Sequence, residues 1–389
     1  MRILVTSLPD LLRIPVQRPH HLIHHLSETH YVTVWCVQAT HESLRHEPYT
    51  QDLLSKIEFG YLTARKMHPA LQELSVWAGH SIKSKHHKSE YDLHLNFNSL
   101  IAGYYHAHFM NKAGIPTIFD VCDDIPEYIS RSPRIPPGLG TVSGFAGKIL
   151  MGMNVDISAQ ITYTTPGLQS CYHLPPERSR LMPNGVDTTF FYPQSGAGIR
   201  NIWGFAPGDF VCGFIGNLHG WVNLEPVFLA LHDLHPTFPA LKLLVVGGGE
   251  KFSYFVDMAA RYGISNQVVF TGPVPYSQGP AYIAAMDAGL LCRLPTQDSQ
   301  NSLPVKLFEY AACGKPVIAT PLNGVRQCFG NRLIYAENGL EFANAIKDLA
   351  SHREKGNAIG EEGRKYVMEH FSWDAIFRQF DGLIKEVKG

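Results

Sequence analysis

The stretch Asn301-Ser302-Leu303-Pro304-Val305-Lys306-Leu307-Phe308-Glu309-Tyr310-Ala311-Ala312-Cys313-Gly314-Lys315-Pro316-Val317-Ile318 concentrates residue types that can hold a charged ligand. It reads as a polar loop, a helix, a glycine stop and a buried strand. The loop 298–303 would present backbone N–H groups at the amino terminus of that helix, a natural seat for an anion. Lys306, in the first helical turn, adds a full positive charge to that seat. Glu309 falls on the same face one turn later. A carboxylate there can accept two hydrogen bonds from a vicinal diol such as a ribose. Anion seat, cation and diol acceptor together describe a site for a nucleotide diphosphate-sugar.

The elements that must position these residues follow from the pattern of the whole chain. Short apolar runs alternate with longer amphipathic stretches, as in βα units around a parallel sheet. In the first half, strands are expected at 2–7, 31–37, 56–61, 92–96, 116–121 and 160–164, with helices at 20–28, 99–112 and 142–155. The loose segment Tyr192-Pro193-Gln194-Ser195-Gly196-Ala197-Gly198 reads as a linker. The alternation then restarts, with strands at 210–215, 241–246, 267–271, 288–292, 316–320 and 332–335. Helices are expected at 224–235, 252–262, 276–286, 305–313 and 340–351. Ile376, Phe377, Phe380, Ile384 and Val387 recur at helical spacing and mark a terminal helix. Two βα domains of similar size, facing one another, place a ligand cleft at the carboxyl ends of both sheets.

Composition narrows the function classes. The chain has 389 residues, 45% of them hydrophobic and 17% charged, which suits a folded protein. Lys+Arg 33 against Asp+Glu 34 gives a net charge of −1, without the basic excess of a nucleic-acid binder. No apolar run reaches the roughly 18–20 residues that span a bilayer. The amino terminus is apolar for too short a stretch to be a signal peptide and reads as a first buried strand. The seven cysteines are scattered, without any C-x-x-C spacing, which fits reduced thiols in a cytoplasmic protein.

The 301–318 block resembles the donor-binding signature of retaining glycosyltransferases of the GT-B fold, family GT4. There a Glu, seven residues and a second Glu precede a small-residue helix and Gly-x-Pro-Val. The second Glu, which binds the nucleotide ribose in that family, matches Glu309. The first, which contacts the donor sugar, is replaced by Asn301, which can hydrogen-bond a hydroxyl without carrying charge. Pro183-Asn184-Gly185-Val186-Asp187 with Phe190, Phe191 and Pro193 is similar to the family's passage into the second domain. Phe210–Leu218 is similar to its first strand and phosphate loop, and Leu244–Gly249 to its second strand and turn. Val269–Tyr276 is similar to the loop that holds the nucleobase.

The resemblance implies an α/β GT-B protein of two facing Rossmann-like domains, 1–190 on the acceptor side and 191–370 on the donor side. The tail, 371–389, would pack back on the first domain. It implies a metal-independent hexosyltransferase without a cofactor, a nucleotide sugar as donor, UDP- or GDP-linked, and a glycan or lipid-linked acceptor in cell-surface polysaccharide synthesis. Donor contacts fall on Gly216, Asn217, Val274, Asn301, Ser302, Leu303, Lys306 and Glu309, with Lys306 also catalytic. Two further readings share these residues: a non-catalytic sugar-nucleotide or glycan-binding protein, and a sugar-nucleotide epimerase of the same architecture.

Many relatives carry an Arg and a Lys in the phosphate loop, where this chain has Asn217-Leu218-His219-Gly220-Trp221-Val222-Asn223. The diphosphate would then rely on Lys306, loop amides and a cation from the first domain, with Arg18 and Arg13 as candidates. His20 and His219 are candidate phosphate or acceptor contacts. The carboxylates of Asp120-Val121-Cys122-Asp123-Asp124 follow a first-domain strand. They can orient acceptor hydroxyls or stabilise oxocarbenium-like charge, Asp123 being favoured as catalytic; the same residues also suit a helix cap before Pro126. His20, His21, His24 and His25 share helix faces, but no further ligand follows at metal spacing, so no metal is expected. Lys83, Lys85 and Lys88 with His86 and His87 form a basic run, either a solvated loop or a peripheral contact with an anionic membrane at its inner face.

Overall fold

A computed structural model describes residues 1–39, 47–63, 69–77, 90–132, 135–136 and 138–388. The basic run 83–88 lies outside the described residues. The chain divides into two units, Met1–Pro183 with Ile376–Gly389, and Asn184–Ala375.

The first unit is built on a seven-stranded sheet of β1 (Arg2–Ser7), β2 (Tyr31–Cys36), β3 (Glu58–Tyr61), β4 (Leu93–Phe97), β5 (Thr117–Val121), β6 (Gln160–Tyr163) and β7 (Ser179–Leu181). Their order is β3-β2-β1-β4-β5-β6-β7, with parallel pairing throughout. Every residue of β4 and β5 is buried, as strands covered on both faces must be. The second unit carries β8 (Phe210–Ile215), β9 (Leu241–Val246), β10 (Val268–Gly272), β11 (Ala288–Leu291), β12 (Val317–Ala319) and β13 (Ile334–Tyr335). Their order is β10-β9-β8-β11-β12-β13, again parallel. Strand order reverses between β1 and β4 in one sheet and between β8 and β11 in the other. Each reversal leaves a crevice at the carboxyl ends of the strands, where ligands bind in this architecture.

Two features depart from the expectations. The units meet at Pro183/Asn184 and not at residue 190. Val186 donates to Phe371 O at 2.9 Å and accepts from the Trp373 amide at 3.1 Å, while Phe191 is buried in a second-unit core. The 192–198 stretch is not a free linker either. Gly196 lies so close to the backbone of Ala284 and Ala285 that a Cβ would collide with it, and Ala197–Ile202 is helical. The terminal helix runs Trp373–Lys388, and its residues from Ile376 onward group with the first unit. There Asp381 accepts from His25 Nε2 at 2.9 Å, and Phe377 stacks on the same ring at 4.1 Å.

The 18-residue helix Arg353–His370 has no counterpart in the sequence reading. Gly356, Gly360 and Gly363 lower its intrinsic propensity, which obscures the pattern. The same glycines form a buried stripe, and Gly360 meets the backbone of Gly314 and Lys315, the turn that ends the helix Val305–Ala312. Arg364 Nη1 donates to the Ala312 carbonyl, closing that helix's carboxyl end. Packing thus overrides propensity because a side chain at this face would hold the two backbones apart. Gly360→Ala should therefore lower the unfolding free energy by about 1–3 kcal/mol through overpacking. At Gly363 a Cβ would make ordinary contact with Ala311 at 3.7 Å. Gly363→Ala should be neutral or stabilising by up to about 1 kcal/mol. Urea melts of the two variants check the contrast.

Candidate functional site

The crevice of the second unit is held open by Tyr310. Strands β8 and β11 pair through Ala288 with Cys212 and Gly289 with Gly213. Beyond that point the Ile215 N–H donates to the Tyr310 hydroxyl at 2.9 Å, and the hydroxyl faces the carbonyls of Gly213 and Leu290 at 3.4 Å each. The ring lies against Gly289, where a Cβ would clash with it. The helix Val305–Ala312 is thereby anchored across the strand reversal. The amides of Val305 and Lys306 open this helix and have no carbonyl behind them within it.

Three glycine turns pack together, and the first of them lies against Lys306 of this helix. Gly216 follows β8 with φ +133°, a conformation that side chains rarely adopt, and a Cβ there would stand 2.6 Å from Lys306 Nζ. Gly247 follows β9 with φ +130°, and a Cβ there would collide with the Gly216 carbonyl. Backbone bonds join the turns: Gly216 N to Val246 O at 2.9 Å, Leu218 N to Gly248 O at 2.7 Å, and Gly247 N to Gly272 O at 3.0 Å. Val274 follows this last turn, half-buried against the core.

Lys306 Nζ sits 3.8 Å above the centre of the Phe214 ring. Burial, reinforced by repulsion from Arg293, lowers its pKa to about 7, with Glu309 opposing the shift. Burial raises Glu309 to about 7, with Lys306 opposing. Both residues are half-buried, and their charges become more favourable when a ligand of opposite charge or matching hydrogen bonds arrives.

Arg293 is a site residue that the sequence reading missed. It lies just after β11, on the other side of the strand reversal from Gly216. Its Nη1 donates to Ser302 Oγ at 2.8 Å, and its guanidinium stands 5.6 Å from the Trp221 ring. The detectable signal was an Arg at the carboxyl end of the strand that flanks the crevice. The second cation beside Lys306 therefore belongs to the same unit as Lys306.

The polar loop is organised by its own bonds. Asn301 caps the short helix Gln297–Gln300, its N–H reaching Gln297 O at 3.2 Å. Ser302 Oγ donates to Ser299 O at 2.9 Å while accepting from Arg293. The Leu303 side chain is buried, and its carbonyl accepts from Asn184 Nδ2 at 2.8 Å. Asn217 is half-buried in the loop after β8, and His219 packs on Trp221 with ring centres 4.6 Å apart.

The first-unit candidates separate. Asp123 is exposed at the carboxyl end of β5, beside the Cys122 thiol. Asp124 is the helix cap: it accepts from the Glu127 amide at 3.2 Å and from the Tyr172 hydroxyl. Arg18 is not a free cation. It is 2% exposed, and its Nε and Nη2 donate to Asp120 at 2.9 and 2.8 Å, while Nη1 donates to Pro183 O at 2.8 Å. Arg13 is paired with Asp10 at 3.2 Å. His20 does not reach a ligand either. It is fully buried, its Nδ1 accepts from the Gln17 amide at 3.3 Å, and Nε2 therefore donates to Leu11 O at 3.0 Å. Burial lowers its pKa to about 4 and that of His21 to about 3. His24 pairs with Asp52 at 2.7 Å. Among the described residues no group of three or more His, Cys, Asp or Glu could hold a metal ion.

Residues 197–366 match the family described as glycosyl transferases group 1. A GDP-mannose-dependent alpha-(1-6)-phosphatidylinositol monomannoside mannosyltransferase of Mycolicibacterium smegmatis is 27% identical over 201 residues, 49% of this chain and 52% of that protein. A D-inositol 3-phosphate glycosyltransferase of Rhodococcus erythropolis is 25% identical over 242 residues, 59% of this chain and 52% of that protein. The chain spans about half the length of the curated relatives it matches. The Anabaena protein HepE, crystallised with UDP, has the same fold, with a TM-score of 0.75 at 18% identity over 99% of this chain and 100% of that one.

Two substitutions test these placements. Gly216→Ala should cost about 1–3 kcal/mol in denaturant melts, because the position has φ +133° and the new methyl would stand 2.6 Å from Lys306 Nζ; unchanged stability would refute the packing. Arg18→Ala leaves Asp120 as an unpaired buried charge and should cost about 3–5 kcal/mol in denaturant melts.

Proposed function

We propose that this chain, whose residues 197–366 match the family described as glycosyl transferases group 1, moves a sugar from a UDP- or GDP-linked donor to a hydroxyl of a glycan or lipid-linked acceptor. The arrangement that carries this reading is Lys306 Nζ seated under the Gly216 turn at the amino terminus of the helix that also bears Glu309. A diphosphate is the ligand that answers a cation, free helix amides and a glycine turn together. Glu309, one turn away, fits the ribose diol, Asn301 and Ser302 the sugar hydroxyls, and Val274 with its loop the nucleobase.

The bond from the anomeric carbon to the β-phosphate oxygen breaks, and negative charge grows on the departing nucleoside diphosphate. Lys306, Arg293 and the Val305 and Lys306 amides stabilise that charge in place before the reaction, so little reorganisation is needed. The bond to the acceptor oxygen forms on the same face that the leaving group vacates, which retains configuration. The acceptor proton passes to the leaving phosphate oxygen. On the acceptor side we assign Asp123 to orient the attacking hydroxyl. The charge stabilisation comes from these side chains and amides, without a metal, and the product class is cell-surface polysaccharide.

Mass spectrometry of products after incubation with nucleotide sugars and candidate acceptors tests the transfer directly. A thermal-shift screen of UDP, GDP and ADP identifies the base, since a ligand that binds the folded state raises its melting point. Lys306→Ala should lower kcat/KM by about 100-fold or more. Glu309→Ala should raise the donor KM with a smaller effect on kcat, as expected for loss of ribose binding.

The Lys306 amine is protonated below its pKa of about 7 and loses its charge above it. A bound diphosphate favours the protonated form. Nucleotide affinity should therefore fall as pH rises above 7, by up to about tenfold per unit, until the bound amine itself titrates. Lys306→Arg should flatten this dependence, because a guanidinium stays charged. A wild-type affinity that is level from pH 7 to 9 would refute the assignment.

A further inference from the structure

The loop after β8 is knitted to the carboxyl ends of two neighbouring strands. Its Leu218 carbonyl accepts from the Lys251 amide at 3.0 Å, and the Gly220 amide donates to Glu250 Oε1 at 2.9 Å, both in the turn that follows β9. On the other side Val222 forms an antiparallel bridge with Arg293, just after β11. The Leu294 amide donates to Trp221 O at 2.9 Å, and the Asn223 amide to Cys292 O at 3.2 Å. These bonds set the Trp221 ring beside the Arg293 side chain, whose guanidinium carbon stands 5.6 Å from the ring centre. His219 packs against the same ring. Arg293 Nη1 also donates to Ser302 Oγ, which is itself tied to Ser299 O.

We propose that Trp221 is a positioning residue for the diphosphate: its ring, together with Ser302 Oγ, holds the Arg293 guanidinium in place beside Lys306. The inference rests on the reading of this site as a seat for a nucleoside diphosphate. An arginine stem has several rotatable bonds, and a ligand that must order it forfeits part of the interaction energy. The backbone bonds of Trp221, Val222 and Asn223 fasten the ring to the segment that carries Arg293, so the stem is restrained before a ligand enters. The ring and the hydroxyl are both neutral. They fix the cation without cancelling its charge, whereas Arg18 meets Asp120 at 2.8 Å and Arg200 meets Asp287 at 2.6 Å. A planar guanidinium suits bidentate contact with phosphate oxygens once its plane is fixed. Trp221 thereby acts through Arg293 and not on the ligand.

Calorimetric titration of the full chain with UDP and GDP tests this through a double-mutant cycle. Trp221→Leu should weaken binding about fivefold, the scale of a partly desolvated cation–π contact. Arg293→Gln should weaken it about tenfold or more. The double variant should bind no more than about twofold worse than Arg293→Gln alone, because the two residues act as one unit. Trp221→Phe, which keeps an aromatic face, should stay within about twofold of the wild type. Arg293→Lys should weaken binding about fivefold although the charge is kept, since an ammonium neither stacks nor forks. The pH profile separates positioning from packing. Arg293 opposes the charge on Lys306, while Glu309 and Cys292, the other titratable groups that act on it, favour that charge and are unchanged in these variants. The loss of affinity on raising the pH should therefore begin at higher pH in Arg293→Gln and, to a smaller degree, in Trp221→Leu. If Trp221→Leu melts early, Arg293→Lys and Trp221→Phe decide. The proposal is overturned if Trp221→Leu weakens binding equally with and without Arg293, which would make the ring a direct ligand contact, or if Arg293→Lys binds as the wild type does. A wild type that binds neither nucleotide overturns the reading of the site itself, and this inference with it.

Discussion

The Tyr310 hydroxyl is the contact on which the second unit's site depends. Where β8 and β11 stop pairing, backbone groups at a sheet interior would be left without partners, which costs about 1–3 kcal/mol each when buried. The phenol accepts from Ile215 and faces two carbonyls, so the strands can separate without that cost. Because Tyr310 is on the helix Val305–Ala312, the same contact fixes Lys306 and Glu309 relative to the Gly216 turn. The glycine stripe of Arg353–His370 and the Arg364 bond hold the other end of that helix. Both ends are therefore set by backbone-level contacts, which leave little freedom to the charged side chains between them.

That rigidity matters because the charges it holds are poorly solvated. Lys306 and Glu309 both approach a pKa of about 7 through burial, and Arg293 adds a like charge beside Lys306. Such an arrangement is unfavourable in the empty protein and becomes favourable when an anion enters. The first unit handles charge in the reverse way: Arg18 and Asp120, a residue of β5, neutralise each other, and His20 is kept neutral by burial. One unit spends its buried charges on structure, while the other keeps them available to a ligand.

Much of the site was legible from sequence because its residues are close in the chain. The loop, helix and stop of 301–318, the glycines after β8 and β9, and the parallel alternation of strands all follow from local pattern. Arg293, Asn184 and Tyr310 were not legible as site residues, since each acts on partners that are distant in the chain. The helix Arg353–His370 was hidden because its glycines oppose helix formation locally and favour it through packing. The functions expected of Arg18 and His20 failed for a related reason, as residue type and loop position do not reveal a buried partner.

The sequence by itself determined the α/β class, the order of the strands along the chain, and the cation and carboxylate one turn apart on a helix. These depend on periodicity and on residues within a few positions of one another. Tertiary structure decided which charges are available. Whether Arg18 meets Asp120, and whether Arg293 stands beside Lys306, depends on which strands become neighbours in the sheet. The free energy of a charge is set by those neighbours and by its distance from water, and neither is a property of the residue alone.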